Sequence, residues 1–367
     1  MKANPKFVIS GGGTGGHIFP AIAIADALKR RFPEADILFI GAKGRMEMER
    51  VPKAGYPIEG LWISGMTKDV KSLLLPVKLA SSLTKARRIL KRFRPDVVIG
   101  VGGFASGPTL KAANWLGIPT VIQEQNSYPG KTNRNVGKKA KAICVAYDHM
   151  EQWFPAEKTH MTGNPLRANI AVKGSRDEAA EYFHVDPAKP IVLLVGGSQG
   201  ALGINKGISA QLNAFKDNDI QLIWQTGKTY IGQAKEEVAA LQLADKVKPT
   251  VFIDRMDLAY TIADVVISRA GAMSISELAL VQKPVIFVPL PTAAEDHQTA
   301  NARVLADADA AILCPDSEAP KRLVADAIAL INDPQRIARF EANAHKLGKF
   351  GAAETIAKIV IETARRP

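Results

Sequence analysis

Short apolar runs recur along the whole chain, and each is followed by a stretch whose apolar positions return every three or four residues. Strands covered on both faces read as continuous apolar runs, so the alternation predicts βαβ units and parallel, doubly wound α/β sheets. Strands are predicted near Lys6 to Ser10, Asp36 to Gly41, Val97 to Val101, Thr120 to Gln123 and Ala142 to Val145. A second set falls near Ile191 to Gly196, Gln221 to Gln225, Val251 to Phe252, Val265 to Ser268, Val285 to Val288 and Ala311 to Leu313. The array restarts at Ile191, and a glycine-rich segment follows the first strand of each half, Gly11 to Gly16 and Gly196 to Gly200. The expectation is two nucleotide-type domains in tandem, divided in the turn-rich stretch Thr162-Gly163-Asn164-Pro165. Ligands of open α/β sheets bind beyond the carboxyl ends of the strands, so two such domains facing each other would enclose a cleft lined by both glycine loops.

Composition narrows the class. The chain has 367 residues, 47% hydrophobic and 23% charged, which describes a globular protein long enough for two cores. No apolar run approaches the roughly 20 residues that span a bilayer, and Met1 to Ser10 lacks a signal-peptide stretch, so a cytoplasmic protein is expected. Cys144 and Cys314 are the only cysteines and lie far apart, which predicts buried thiols and neither a disulfide framework nor a metal site. The net charge of +12 is unevenly placed: residues 1–165 hold 25 Lys and Arg against 12 Asp and Glu, and residues 166–367 hold 23 against 24. Such asymmetry points the first half toward an extended anionic surface, a lipid headgroup layer or a nucleic acid.

The chemistry gathers at strand ends. Gly11-Gly12-Gly13-Thr14-Gly15-Gly16-His17 joins the first strand to a helix. A turn of this kind offers bare N–H groups and a positive helix end to an anion. The same macrodipole disfavours imidazolium, so His17 is expected neutral near pH 7 and able to accept a proton. No Lys-Ser or Lys-Thr closes the loop as in a P-loop, and no acid ends the next strand as in a dinucleotide fold. The second loop, Gly197-Ser198-Gln199-Gly200, adds a hydroxyl and suits a phosphate or diphosphate.

Further on, Arg269-Ala270-Gly271-Ala272-Met273-Ser274-Ile275-Ser276-Glu277 opens a helix whose first N–H groups face out. Glu277 is placed to take both hydroxyls of a ribose; a capping box, Ser274 with Glu277, is a second reading that does not exclude the first. Gln123-Glu124-Gln125-Asn126 in one half and Glu295-Asp296-His297-Gln298 in the other are amide and carboxylate clusters that suit a sugar. Residues 68–94 interleave Leu73, Leu74, Leu75, Leu79 and Leu83 with Lys78 and other cations around a single acid, Asp69. That pattern fits a surface resting on anionic lipid, or a helix packed on its own sheet with solvated lysines. Aromatic stacking residues are missing from it before Phe93, which weighs against nucleic acid.

Seven segments taken together resemble one family: Gly12 to His17, Gly100 to Pro108, Glu124-Gln125-Asn126, Gly163 to Arg167, Gly196 to Ala201, Arg269 to Ala272 with Glu277, and Asp296 to Ala302. In order and over about residues 10–302 the chain is similar to the MurG family, bacterial glycosyltransferases that add N-acetylglucosamine to undecaprenyl-diphospho-muramoyl-pentapeptide (lipid I) to give lipid II for peptidoglycan. The resemblance implies a GT-B fold, two Rossmann-like α/β domains facing each other across a cleft, with UDP-N-acetylglucosamine as donor, inversion at the anomeric carbon, no cofactor and no essential metal. It also implies peripheral attachment to the cytoplasmic face of the membrane. Residues 1–163 would form an acceptor- and membrane-facing domain, joined by a C-terminal helix in 350–367, and residues 164–349 the UDP-sugar domain.

By the same resemblance His17 would be the general base, and Thr14, Gly15 and Gly16 would lie near the transferred sugar and the diphosphate. Asn126 and Gln298 would hold sugar hydroxyls, Arg167, Ser198 and Gln199 would meet UDP, and Ile253 would present backbone to uracil. Ala272, Met273, Ser274, Ile275, Ser276 and Glu277 would supply N–H groups to phosphate and a carboxylate to ribose. Leu73, Leu74, Leu75, Lys78 and Leu79 would touch the membrane. Two positions depart from the family pattern: Gln123, where many members have His, and His297, where some carry a second Gln. A different GT-B enzyme of UDP-sugars, such as a glycolipid synthase or an epimerase, or a non-catalytic UDP-sugar-binding protein, shares much of this pattern.

Overall fold

The computed structural model describes residues 4–64, 75–167, 170, 174–197, 200–293 and 296–365. The chain divides into two compact units, residues 1–167 with 349–367, and residues 168–348.

In the first unit β1 (Lys6–Ser10), β2 (Asp36–Ala42), β3 (Ile58–Leu61), β4 (Val97–Gly100), β5 (Thr120–Glu124), β6 (Ala142–Val145) and β7 (Thr159–Met161) form one sheet. Its order is β3-β2-β1-β4-β5-β6-β7, and every pairing is parallel. Alternate residues go to opposite faces: Phe7, Ile9, Ile99 and Val121 to one, Val8, Ile40, Val98 and Ile122 to the other. The first face is covered by the helices Gly15–Arg31 and Ala352–Arg365, the second by Leu75–Phe93 and Ser106–Trp115. In the C-terminal helix Ala353, Ile356, Ala357, Val360 and Ile361 form one buried stripe, and each large side chain so buried contributes about 1.5–3 kcal/mol.

The second unit repeats the plan with β8 (Ile191–Val195), β9 (Gln221–Gln225), β10 (Val247–Thr250), β11 (Val265–Ser268), β12 (Val285–Phe287) and β13 (Ile312–Leu313), in the order β10-β9-β8-β11-β12-β13. Both sheets therefore reverse winding at one place, between β1 and β4 and between β8 and β11, and this is where open α/β sheets receive ligands.

Three strands differ from the sequence expectation. The strand expected at Val251 to Phe252 lies earlier, at β10, where Val247 to Thr250 pair with Leu222 to Gln225. Pro249 disguises it, and it is tolerated because β10 is an edge strand. β3 and β7 are also edge strands, with polar residues among few apolar ones, and the apolar-run criterion passes over both. Cys144 and Cys314 are buried free thiols. Among the described residues no helix is long and apolar enough to cross a membrane, and no group of three His, Cys, Asp or Glu side chains is arranged to hold a metal ion.

Candidate functional site

At the switch point of the first sheet β1 runs into Gly11 to Thr14, and a helix begins at Gly15. Gly12 and Gly13 have φ of +147° and +92°, conformations that exclude ordinary side chains. Thr14 is the N-cap, extended, without a side-chain cap bond; its Oγ1 lies 3.2 Å from His17 Nδ1. The other edge of the ring faces the turn after β4. A Cβ on Gly102 would stand 2.8 Å from His17 Cδ2 and 2.9 Å from Nε2, and one on Gly103 would stand 2.2 Å from the Gly12 carbonyl oxygen. The two glycine turns thus pack backbone to backbone and clamp the half-buried imidazole between Thr14 and Gly102.

The strand end after β5 is organised by buried polar side chains. Glu124 accepts from Asn126 N and Nδ2 at 3.0 and 3.1 Å, from Gly130 N at 3.1 Å and from Asn133 Nδ2 at 2.9 Å. Burial pushes its carboxyl pKa up, against the downward pull of these four bonds. Gln123 donates to Asn164 Oδ1, Asn164 to the Gln125 carbonyl, and Gln125 to the Val101 carbonyl. Gln123, Glu124 and Gln125 are buried and hold one another and the neighbouring backbone, while Asn126, half-buried, bonds Glu124 through both its backbone N and its Nδ2. Asn133, whose Nδ2 bonds Glu124, also borders Gly102, so this loop adjoins the His17 turn. Arg167 stacks its guanidinium 4.5 Å over the Phe19 ring, two residues along the His17 helix.

In the second unit β8 leads into Gly196, Gly197 and Gly200; Ser198 and Gln199 lie outside the described residues. Gln225, at the end of β9, ties the loop down: its Nε2 donates to the Gly197 carbonyl at 3.0 Å and its Oε1 accepts from Ile253 N at 3.4 Å. The Ile253 N–H is thus directed at Gln225. Beyond β11 the helix Ala272–Val281 starts on Gly271, which has no side chain to cap it. Ser274 lies inside the first turn and Glu277 in the second, so the capping-box reading is overturned. The N–H groups of Ala272, Met273 and Ser274 have no acceptor within the helix. Glu277 is half-buried, and the buried Tyr260 donates its hydroxyl to Oε2 at 3.2 Å. Ile275 is buried and Ser276 half-buried. Gln298 Oε1 accepts from Leu290 N at 2.9 Å. Arg269 donates to the Val288 and Pro289 carbonyls and pairs with Asp316, fixing the loop that leads to Leu290.

The basic segment divides in two. Leu73 and Leu74 lie outside the described residues; from Leu75 a helix runs to Phe93. Its later part buries Ser82, Ala86, Ile89 and Leu90 on the sheet. Its start does not: Val77 and Leu79 are exposed, Leu75 is half-buried, and Trp62, 46% exposed, has Lys78 Nζ 5.8 Å from its ring centre. Gln225 and Tyr260 escaped the sequence reading because neither sits in a glycine motif; only topology brings them to these positions.

Two like-wound parallel sheets, each with a glycine turn at its switch point, are the architecture of the GT-B glycosyltransferases. Residues 7–145 match the glycosyltransferase family 28 N-terminal domain and residues 191–359 the glycosyltransferase family 28 C-terminal domain. A curated relative from Christiangramia forsetii, named UDP-N-acetylglucosamine--N-acetylmuramyl-(pentapeptide) pyrophosphoryl-undecaprenol N-acetylglucosamine transferase, is 51% identical over 359 residues, 97% of either chain. The crystal structure of Acinetobacter baumannii MurG superposes with a TM-score of 0.76 at 28% identity, covering 98% of this chain and 99% of that one. A UDP-N-acetylglucosamine 2-epimerase, at 16% identity and a TM-score of 0.69 over 99% of this chain and 98% of its own, shares the fold alone. The chain belongs to glycosyltransferase family 28 and, within it, to the MurG family.

Proposed function

We propose that this protein transfers N-acetylglucosamine from UDP-N-acetylglucosamine to the muramoyl C4 hydroxyl of lipid I, forming lipid II with inversion. The acceptor oxygen forms a bond to the anomeric carbon as the bond from that carbon to the UDP phosphate oxygen breaks; the hydroxyl proton goes to His17 Nε2 and UDP leaves with the electron pair. With Nδ1–H donating to Thr14 Oγ1, Nε2 carries the lone pair this role needs. Helix-start N–H groups at Ala272 to Ser274 would meet the charge gathering on the diphosphate, and Glu277 the ribose. Asn126 and the Gln298 amide would hold sugar hydroxyls; Arg167, Ser198 and Gln199 would meet UDP, and the Ile253 backbone the uracil. Thr14, Gly15 and Gly16 would border the reacting sugar. The observation that carries the reading is the imidazole clamped at a switch point, where a sheet of this winding binds ligands.

The exposed start of the helix Leu75–Phe93, with Trp62 and Lys78 beside it, supports peripheral attachment to an anionic membrane surface on the cytoplasmic side. The first unit would face acceptor and membrane, the second the UDP-sugar, and no nucleic acid is involved. The test is transfer of labelled N-acetylglucosamine from its UDP form to a short-chain lipid I analogue in detergent. Product that needs the acceptor and is lost in His17→Ala supports the assignment. A changed sugar nucleotide formed without acceptor would instead identify an epimerase, and donor binding without transfer a UDP-sugar-binding protein.

A further inference from the structure

We infer that Glu47 is a positioning residue for the transfer step: its buried carboxylate holds the first glycine turn, and through it Thr14 and His17, in their working shape. The inference rests on the assignment of His17 as base. Glu47 begins the short helix Glu47–Lys53 and is 1% exposed. An ionised carboxylate so buried is costly unless donors satisfy it, and here backbone N–H groups serve both oxygens. Oε1 accepts from Ala42 N at 2.9 Å and Oε2 from Gly13 N at 2.9 Å. One side chain thus bridges the end of β2 to the middle of the loop that carries the base.

The backbone is cleared around that side chain. A Cβ on Gly12 would stand 2.2 Å from Oε1, and one on Gly41 would stand 2.5 Å from Cγ. Two glycines on separate segments therefore leave room for one carboxylate. Displacement of the loop would pass on directly, because the Gly12 carbonyl abuts Gly103 and the neighbouring Gly102 faces the imidazole. A second consequence concerns ligand chemistry. The Gly13 N–H already has its anion and is not among the donors this turn offers to a phosphate, so the turn orients a base more than it binds a diphosphate.

Glu47→Gln keeps the shape but sets an NH2 against one of the two N–H donors. The expected result is a fall in kcat with the lipid I analogue of roughly 10-fold or more, since a bond to a charged acceptor is lost. UDP affinity and donor KM should stay within about twofold, because the groups proposed to hold UDP are served by other bonds. Hydrogen exchange of a peptide covering residues 11–17 should rise in the same variant. Gly12→Ala, which drives a methyl into the same carboxylate, should reproduce the phenotype and combine with Glu47→Gln less than additively. Where Glu47→Gln does not fold, Glu47→Asp decides, since it keeps the charge and withdraws the oxygens by one methylene. Unchanged kcat in a folded variant overturns the inference, as does a parallel loss of kcat, UDP affinity and melting temperature, which is the mark of a merely structural residue. If His17→Ala keeps full turnover while Glu47→Gln loses it, the base assignment fails and the loop-positioning role stands.

Discussion

Thr14 Oγ1 stands 3.2 Å from His17 Nδ1, across the first turn of the helix that both residues open. The hydroxyl can donate to Nδ1 or accept from it, and only the second arrangement leaves a lone pair on Nε2, the nitrogen beside Gly102. Thr14→Val removes the oxygen and keeps the shape, so kcat should fall roughly 5- to 10-fold, with Thr14→Ser restoring most of it. His17→Ala should cost roughly 10²-fold or more while UDP binding is retained. Saturating kinetics with the short-chain acceptor and calorimetric titration with UDP separate the two effects; equal turnover in Thr14→Val would remove the hydroxyl from the mechanism.

Glu277 receives its orientation from Tyr260, whose hydroxyl meets Oε2 at 3.2 Å. The helix is capped by Gly271 and not by Ser274, which puts Glu277 in its second turn, and the proposed partner of Glu277 is the ribose diol. Glu277→Ala should weaken UDP binding by roughly 10-fold or more, and Tyr260→Phe by a smaller factor. Uridine and 2′-deoxyuridine diphosphates give the sharper comparison. Loss of discrimination between them in Glu277→Ala is expected, and discrimination that survives would move ribose recognition elsewhere.

The glycine turns and their strands were legible in the sequence because both signals are local: an apolar run and a cluster of residues that only a sharp turn requires. Lys6 to Ser10, Ala142 to Val145, Gln221 to Gln225 and Val265 to Ser268 coincide with observed strands. What supports the turns was not legible. Glu47 is 34 residues from the Gly13 N–H it binds, and Gln225 is 28 from Gly197. Sequence proximity says nothing about such pairs until β1 pairs with β2 and β8 with β9. The Gln123 to Asn126 cluster shows the opposite error, since polar side chains suited to a sugar were mostly recruited to satisfy buried backbone and one another.

Val77 and Leu79 lie exposed at the start of a helix whose later residues are buried, so the basic segment holds a packing half and an open half. Replacing both by Glu removes apolar contact and adds negative charge opposite an anionic headgroup layer. Sedimentation with phosphatidylglycerol vesicles should show binding reduced by roughly 10-fold or more, with wild-type binding itself weakened by salt. Equal sedimentation of the variant would leave the patch as ordinary exposed surface.

Asp257 lies in the first turn of the helix Met256–Ile262, and Arg255, the N-cap, donates to both of its oxygens. These bonds hold its carboxyl pKa below the usual value, foremost among the causes. A depressed folded value means that the stabilisation is present above the unfolded carboxyl pKa and is lost as pH falls through the folded one. Asp257→Asn should therefore melt lower than wild type near neutral pH, and the two melting curves should converge in strong acid. A gap that persists there would assign the effect to packing instead of charge.

Gly102 offers the most direct test of the clamp around the imidazole. Its φ of +91° lies where L side chains rarely go, and a Cβ would stand 2.8 Å from His17 Cδ2. Gly102→Ala therefore strains the backbone, by about 1–3 kcal/mol, and pushes the ring off its seat. Gly44, with φ of +69° and nothing within 4 Å of a Cβ, carries the backbone penalty alone. Gly44→Ala should lower the melting temperature comparably and leave kcat intact, whereas Gly102→Ala should lower both. If both variants lose stability and neither loses turnover, the ring tolerates displacement and its seat on Gly102 is not what aims Nε2.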